Sequence, residues 1–234
     1  MEKHAVYTGT RNLYPMMVPA VKSLLKHSSV DKVHLLIEDD EFPYELPDCV
    51  DVRNMSDQPW FAPDGPNMRS YFTYMALIRA AFVHIFPDVD KILSLDVDTI
   101  CVNDIDDLWD IPLDDCYFSA SLEQHRSQHG LIYCNIGVCM YNLKLLRESG
   151  KADEAIRVLN RQRLQWLEQD AFSYLCQGYI SQMPSAYNSN RFTIEHQDEP
   201  VRIMHYPAKQ FWTSEPEYLE AESLTWEEVL KGRS

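Results

Sequence analysis

No run of about 18 apolar residues occurs in this chain, so no segment is long enough to cross a bilayer as a helix. The opening MEKHAVYTGT carries no signal-peptide pattern. There is no G-x-G-x-x-G and no P-loop, which disfavours a dinucleotide or ATPase site. The six cysteines, Cys49, Cys101, Cys116, Cys134, Cys139 and Cys176, show no C-x-x-C spacing. Buried free thiols are therefore expected rather than a structural zinc site or a disulfide framework. Cations are scarce: 21 Lys and Arg face 36 Asp and Glu, for a formal net charge of −15. That balance argues against non-specific nucleic-acid binding and against adhesion to an anionic membrane, since both need basic patches. A nucleotide would have to be held locally, by a metal and a few basic groups. These absences lead us to expect a soluble, cytoplasmic protein with no nucleic-acid partner and no transmembrane segment. Internal repeats and low-complexity tracts are also missing.

With 45% hydrophobic and 12% aromatic residues, 234 residues suffice for one well-filled α/β domain and a small appendage. The order of segments has a βαβ rhythm. HAVYT (4–8) reads as a strand, then GTRN as a turn, then a helix with Met17, Val21, Leu24 and Leu25 on one face, then VHLLIE (33–38) as a second strand. Such a half-unit makes the loop after the first strand a candidate for contacting a base or ribose. A loop rich in Pro and Asp is expected from Pro43 to Asn67, and TYMALIRAAFVHIF reads as a helix whose lone Arg79 snorkels, pairs with an acid or is aimed at an anion. CYFSASL (116–122) and IYCNIGVCMY (132–141) read as strands, and Gly137 within the second marks a place where another group approaches the backbone. Two helical stretches follow over 153–177, the second opening at Glu168, Gln169 and Asp170. VRIMHY (201–206) is a short strand bearing His205, followed by Lys209 and Trp212. The acidic end, 213–234, suggests a terminal helix with Thr225 and Glu228 as a capping box and Gly232 as its stop.

The most informative stretch is KILSLDVDTICVNDIDDLWD (91–110). Ile92, Leu93 and Leu95 form an apolar run that reads as a buried strand stopping at Asp96. D-x-D pairs occur at Asp88/Asp90, Asp96/Asp98 and Asp104/Asp106, and only the middle one directly follows an apolar strand. The carboxyl edge of an open α/β sheet is where ligands bind, and two carboxylates there suit a hard divalent cation. On spacing and placement alone, the pair fits either a metal platform or a solvated strand-end turn.

Five ordered blocks carry a family resemblance: TGTRNLY (8–14), IRAAFVHIFPDVDKILSLDVDTICVNDIDDLW (78–109), CNIGVCMYNLKLL (134–146), EQDAF (168–172) and HYPAKQFW (205–212). Together they resemble glycosyltransferase family 8, the group that includes glycogenin and bacterial lipooligosaccharide galactosyltransferases. The resemblance implies a single GT-A domain over 1–212, with a mixed, mainly parallel sheet flanked by helices; the acidic tail 213–234, read above as helical, departs from family members with basic, membrane-associating ends. It implies a retaining hexosyltransferase that uses a UDP-sugar, glucose or galactose, on a glycan, lipopolysaccharide-type or protein acceptor. Mn²⁺ or Mg²⁺ would be bound by Asp96, Asp98 and His205. Thr8, Thr10, Tyr14 and Val97 would serve the nucleotide, with the Tyr stacking on the base. Arg79, Asn135 and Gly137 would serve the donor sugar, and Lys209 the diphosphate. Gln169 would lie by the anomeric carbon on the face opposite UDP, with Asp170 binding sugar hydroxyls. A homodimer stays open. The chain departs from the family pattern at HYPAKQFW, where the usual Gly is missing and Lys209 follows His205 by four residues instead of six. It also has Ile136 for a small residue and Glu168 for a frequent Asp. Two other readings remain open from the residues: a nucleotidyltransferase on a related scaffold, for which TGTRN is a poor Gly-rich basic loop, and a non-catalytic sugar-nucleotide or glycan-binding module.

Overall fold

A computed structural model of the chain describes residues 2–70, 72–124, 126–127, 130–193 and 199–231. β1 (His4–Thr8) is buried along its whole length, and a 3₁₀ turn, Arg11–Leu13, leads from it into α1 (Tyr14–His27). Pro15 lies in the first turn of α1, where its missing N–H costs nothing, and Lys26 and His27 suit the negative end of the helix dipole. β2 (Lys32–Ile37) and β3 (Val50–Asn54) follow. A 3₁₀ helix, Tyr74–Ala81, runs into α2 (Phe82–Ile85), and then come β4 (Lys91–Leu95) and the short β5 (Thr99–Cys101). The second half holds β6 (Phe118–Leu122), β7 (Cys134–Asn142), α3 (Leu143–Glu148), α4 (Lys151–Arg161), α5 (Leu167–Leu175), β8 (Ile180–Gln182) and β9 (Ile203–His205). α6 (Pro216–Ser223) and α7 (Trp226–Leu230) end the described chain.

The main sheet has the order β3-β2-β1-β4-β7-β6-β8, with β7 antiparallel to both of its neighbours and the other pairings parallel. Apolar residues on both faces explain the unbroken hydrophobic runs. In β4, Ile92 packs into a core with Leu77, Phe82, Leu159 and Phe172, while Leu93 and Leu95 pack into a second core with Met17, Leu24 and Val229. Helices thus cover both faces of one α/β domain, as the sequence implies. Among the described residues, no helix is long and apolar enough to cross a membrane. All six cysteines are free, four of them buried.

Two local expectations are corrected. The Pro43–Asn67 segment is not all loop, because Val50–Asn54 adds to the sheet as β3. This edge strand is only half-covered and alternates Val-Asp-Val-Arg, so no apolar run announces it. The helix expected across TYMALIRAAFVHIF is 3₁₀ for the eight residues Tyr74–Ala81, longer than such turns usually run, with the Thr73 side chain accepting from Met75 N.

The acidic end is part of the domain's packing. Tyr218, Ala221 and Val229 are buried, Lys22 Nζ donates to the Glu222 and Leu224 carbonyls, and Lys26 pairs with Glu220 at 2.9 Å. The capping box of Thr225 and Glu228 is formed, whereas Gly232 lies outside the described residues. Thr225→Ala should lower stability by about 1 kcal/mol, read as a shift of the urea midpoint without a change in slope. An unmoved midpoint would show that the tail is not coupled to global unfolding.

Candidate metal centre and donor site

The site begins where β4 stops. Asp96 N donates to Gly137 O at 2.7 Å, and Asp96 O accepts from Thr99 N (3.2 Å) and Thr99 Oγ1 (2.7 Å). These bonds close a tight turn with Asp96 and Asp98 on it, and the chain leaves as β5. β5 pairs antiparallel with β9, Thr99 opposite His205, and Tyr206 N donates to Asp98 O at 3.0 Å. This two-stranded ribbon brings a histidine distant in sequence against both acids. His205 Nε2 lies 3.4 Å from Asp96 Oδ2 and 3.4 Å from Asp98 Oδ1. Among the described residues, these are the three acidic, histidine or cysteine side chains whose ligand atoms converge, all within 4.8 Å of one another.

The residues fit a divalent cation. His205 is 3% exposed, its Nδ1 is 2.7 Å from Asn188 Oδ1, and its buried Nε2 makes no hydrogen bond. An unsatisfied ring nitrogen between two carboxylates is the arrangement of a ligand whose other nitrogen is held by an outer partner. Burial would lower the imidazole pKa, but Asp98 and Asp96 push it up to about 9, so the position calls for positive charge. A set of two carboxylates and an imidazole suits Mn²⁺ somewhat better than Mg²⁺. Gly137 is what lets these groups meet. A Cβ there would stand 2.2 Å from His205 Cε1 and 2.7 Å from Asp96 Oδ2. The group that approaches this backbone is thus the imidazole and carboxylate themselves.

Arg79 takes the acid-pairing course left open by the sequence. It is 6% exposed, and its Nη1 donates to Glu168 Oε1 at 3.0 Å and its Nη2 to Asp96 Oδ1. Burial disfavours its charge, yet Asp96 and Glu168 more than offset this and hold the guanidinium cationic. Asp96, raised by burial, is pulled well below the carboxylate range by Arg79 and His205. Glu168 is pushed up to about 7 by burial, against the pull of Arg79. Arg79 therefore fixes one oxygen of Asp96 and leaves the other facing His205.

Behind the acids, β7 departs from regular pairing. Its register with β6 shifts between Ala120 and Ser121, which lie opposite Cys139 and Asn135. The Ile136 and Gly137 N–H groups go instead to side-chain amides: Gln169 Oε1 accepts from Ile136 N (3.2 Å), and Asn135 Oδ1 from Gly137 N (3.1 Å). Gln169 Nε2 donates to Glu123 Oε1 and Tyr133 OH, and Asn135 Nδ2 to Glu123 Oε1. Asp170 accepts from Tyr133 OH and, at 2.9 Å, from Trp166 N. Asn135, Gln169, Asp170 and Glu123 thus form one buried polar floor. The trio 168–170 lies in the first turn of α5, directly after its first residue, Leu167, which has a left-handed φ of 47° although it is 1% exposed.

The residues assigned to the nucleotide are less assembled. Thr8 ends β1 and is buried, Val97 is 5% exposed between the two acids, and Thr10 Oγ1 donates to Asn12 Oδ1. Tyr14 is 2% exposed; its hydroxyl donates to Asp39 and accepts from Glu38 N, and its ring lies against Phe42. Lys209 pairs with Glu215 at 2.8 Å, on a segment where Ala208 and Phe211 have φ of 55° and 57°. Sequence reasoning missed Glu38 and Asp39 after β2, which engage Arg11 and Tyr14, and Asn188 behind His205. Their only signal was polarity at the ends of apolar runs, IEDD and YNSN.

The sequence model of glycosyl transferase family 8 matches residues 4–214. Glycosyltransferase GlyE of Streptococcus pneumoniae serotype 4 is 26% identical over an alignment covering 88% of this chain and 55% of that protein. A putative glycosyltransferase of Haemophilus influenzae is 22% identical over 63% of this chain and 51% of its own length. The chain therefore spans about half the length of these curated relatives. Among solved structures, the galactosyltransferase LgtC in complex with donor and acceptor sugar analogues has a TM-score of 0.69 at 20% identity, covering 99% of this chain and 100% of that one. The bifunctional WbbM has a TM-score of 0.70 at 16% identity, with 98% and 51% covered. The fold is that of these GT-A structures. Gly137→Ala should overpack the metal centre by about 1–3 kcal/mol and weaken Mn²⁺ binding roughly tenfold or more, measured by calorimetric titration. Unchanged affinity would mean that His205 and Asp96 do not need this gap.

Proposed function

The chain belongs to glycosyl transferase family 8, and from that premise we propose that it transfers a hexose, glucose or galactose, from a UDP-sugar to a glycan, lipopolysaccharide-type or protein acceptor with retention of configuration. The observation that carries this reading is the buried His205 Nε2, without a hydrogen bond, facing Asp96 and Asp98 at the carboxyl edge of the sheet. An acidic protein has no general basic field with which to neutralise a diphosphate. When bound by these three residues, Mn²⁺ or Mg²⁺ supplies Lewis-acid charge for the leaving diphosphate.

The chain's own residues do the rest. Arg79 holds Asp96 in place, Asn135 and Asp170 offer the polar floor to the sugar, and Thr8, Thr10, Tyr14 and Val97 border the nucleotide. Lys209 adds charge to the diphosphate after its ammonium exchanges Glu215 for phosphate oxygens. Retention by double displacement would need a free nucleophile. Gln169 Oε1 already accepts from Ile136 N, and Asp170 from both Tyr133 and Trp166. These occupied oxygens favour a same-face path: the anomeric C–O bond to phosphate breaks, the acceptor oxygen bonds to that carbon on the same face, and the acceptor proton passes to the departing phosphate.

UDP with Mn²⁺ should raise the Tm, and UDP should be released from a UDP-glucose or UDP-galactose donor when acceptor is supplied. Stabilisation by ATP or CTP with Mg²⁺ but not by UDP would sink this reading. Gln169→Ala should slow transfer roughly ten- to a hundredfold, the scale of a lost hydrogen bond to charge, while UDP affinity holds. An equal loss of both would remove Gln169 from the reacting carbon.

A further inference from the structure

Asn188 lies at the end of a 3₁₀ turn, Ser185–Tyr187, and is fully buried. It belongs to no element that carries the acids, yet it touches both halves of the site. Its Nδ2 donates to Asn135 O and to Asn135 Oδ1, each at 3.0 Å. Its Oδ1 lies 2.7 Å from His205 Nδ1 and accepts from Asn190 Nδ2 at 2.8 Å. The orientation of such an amide must be inferred from its partners. Here the partners leave one solution. Asn135 O is a backbone carbonyl and can only accept. Asn135 Oδ1 accepts from the Gly137 backbone N–H, which can only donate, so that atom is an oxygen as well. Asn190 is fixed in the same way, because its Oδ1 accepts from Phe192 N and Thr193 N and its Nδ2 must face Asn188. The end of Asn188 toward β7 is therefore the NH₂, and the end toward His205 is the oxygen. An oxygen at 2.7 Å requires a proton on Nδ1, so in the neutral ring that a metal ligand must be, the lone pair is on Nε2 and faces the space between Asp96 and Asp98. The Asn190 Nδ2 contact to His205 Nδ1, 3.4 Å, is the longer and subordinate one.

We infer that Asn188 is a positioning residue that sets the tautomer and aim of His205 for metal binding, and that two backbone groups of β7, Asn135 C=O and Gly137 N–H, dictate its setting. It joins the metal centre to the polar floor, since Asn135 is bonded through Glu123 to Gln169. The inference rests on the metal reading of Asp96, Asp98 and His205.

The test is Mn²⁺ affinity measured by calorimetry or electron paramagnetic resonance on wild type, Asn188→Ala and Asn188→Asp. If wild type binds no Mn²⁺, the metal reading itself fails. If it binds, Asn188→Ala should lose roughly ten- to a hundredfold in affinity, the usual effect of removing an outer-shell partner. Asn188→Asp keeps an oxygen on Nδ1 and should bind Mn²⁺ as tightly as wild type or more so, while placing a carboxylate against the two oxygens of Asn135 and raising the KM for donor. Unchanged affinity in Asn188→Ala, or equal loss in both variants, overturns the inference. Should either variant fail to fold by circular dichroism, ¹⁵N NMR of wild type loaded with Mg²⁺ decides: a protonated Nδ1 and unprotonated Nε2 on His205 support it, and the reverse tautomer overturns it.

Discussion

The partly exposed Asp96 and Asp98 and the buried Glu168 lie around one buried guanidinium, that of Arg79, which bonds Asp96 and Glu168. Like charges held this close need compensating positive charge nearby. The rest of the site can be understood as a response to that deficit. Arg79 bridges Asp96 and Glu168 with a single positive charge, and leaves an anionic gap toward Asp98. His205 is brought to the gap by the β5–β9 ribbon, and Gly137 gives up its side chain so that imidazole and carboxylate can approach. A divalent cation would complete the balance with the imidazole neutral.

The irregular strand β7 ties this electrostatic unit to the buried polar floor of Asn135, Gln169, Asp170 and Glu123. Where its register with β6 shifts, the N–H groups of Ile136 and Gly137 go to the amides of Gln169 and Asn135, and Asn135 in turn accepts from Asn188. One backbone segment therefore orders Gln169 and Asn188, from two other stretches of chain, with donors and acceptors that cannot be reversed.

Much of this was legible in the sequence where chemistry and periodicity coincide. The apolar run ending at Asp96 marks both strand and site, because a buried parallel strand must be hydrophobic and its carboxyl end is where ligands gather. Gly137 announced a close approach, and the structure supplies the approaching groups. What stayed hidden lacks any such coincidence. β3 is an edge strand with too little burial to write a pattern, and Asn188 acts through a single amide whose importance depends on a partner 17 residues away. The positive φ of Ala208 and Phe211, on either side of the Lys209 that pairs with Glu215, is likewise not encoded by residue type.

Leu167 sets how the residues after it are held. Its left-handed backbone costs a side-chain-bearing residue roughly 1–2 kcal/mol, and a glycine would be free of it. The leucine side chain is nonetheless sealed in the core with Phe172 and Ala171. Packing is therefore what holds the peptide in its unfavourable turn, so the direction in which Glu168, Gln169 and Asp170 point is inherited from the interior of the domain. In mechanical terms, the trio is cantilevered from the core, and its accuracy should degrade with core packing before it responds to changes in the surrounding loops.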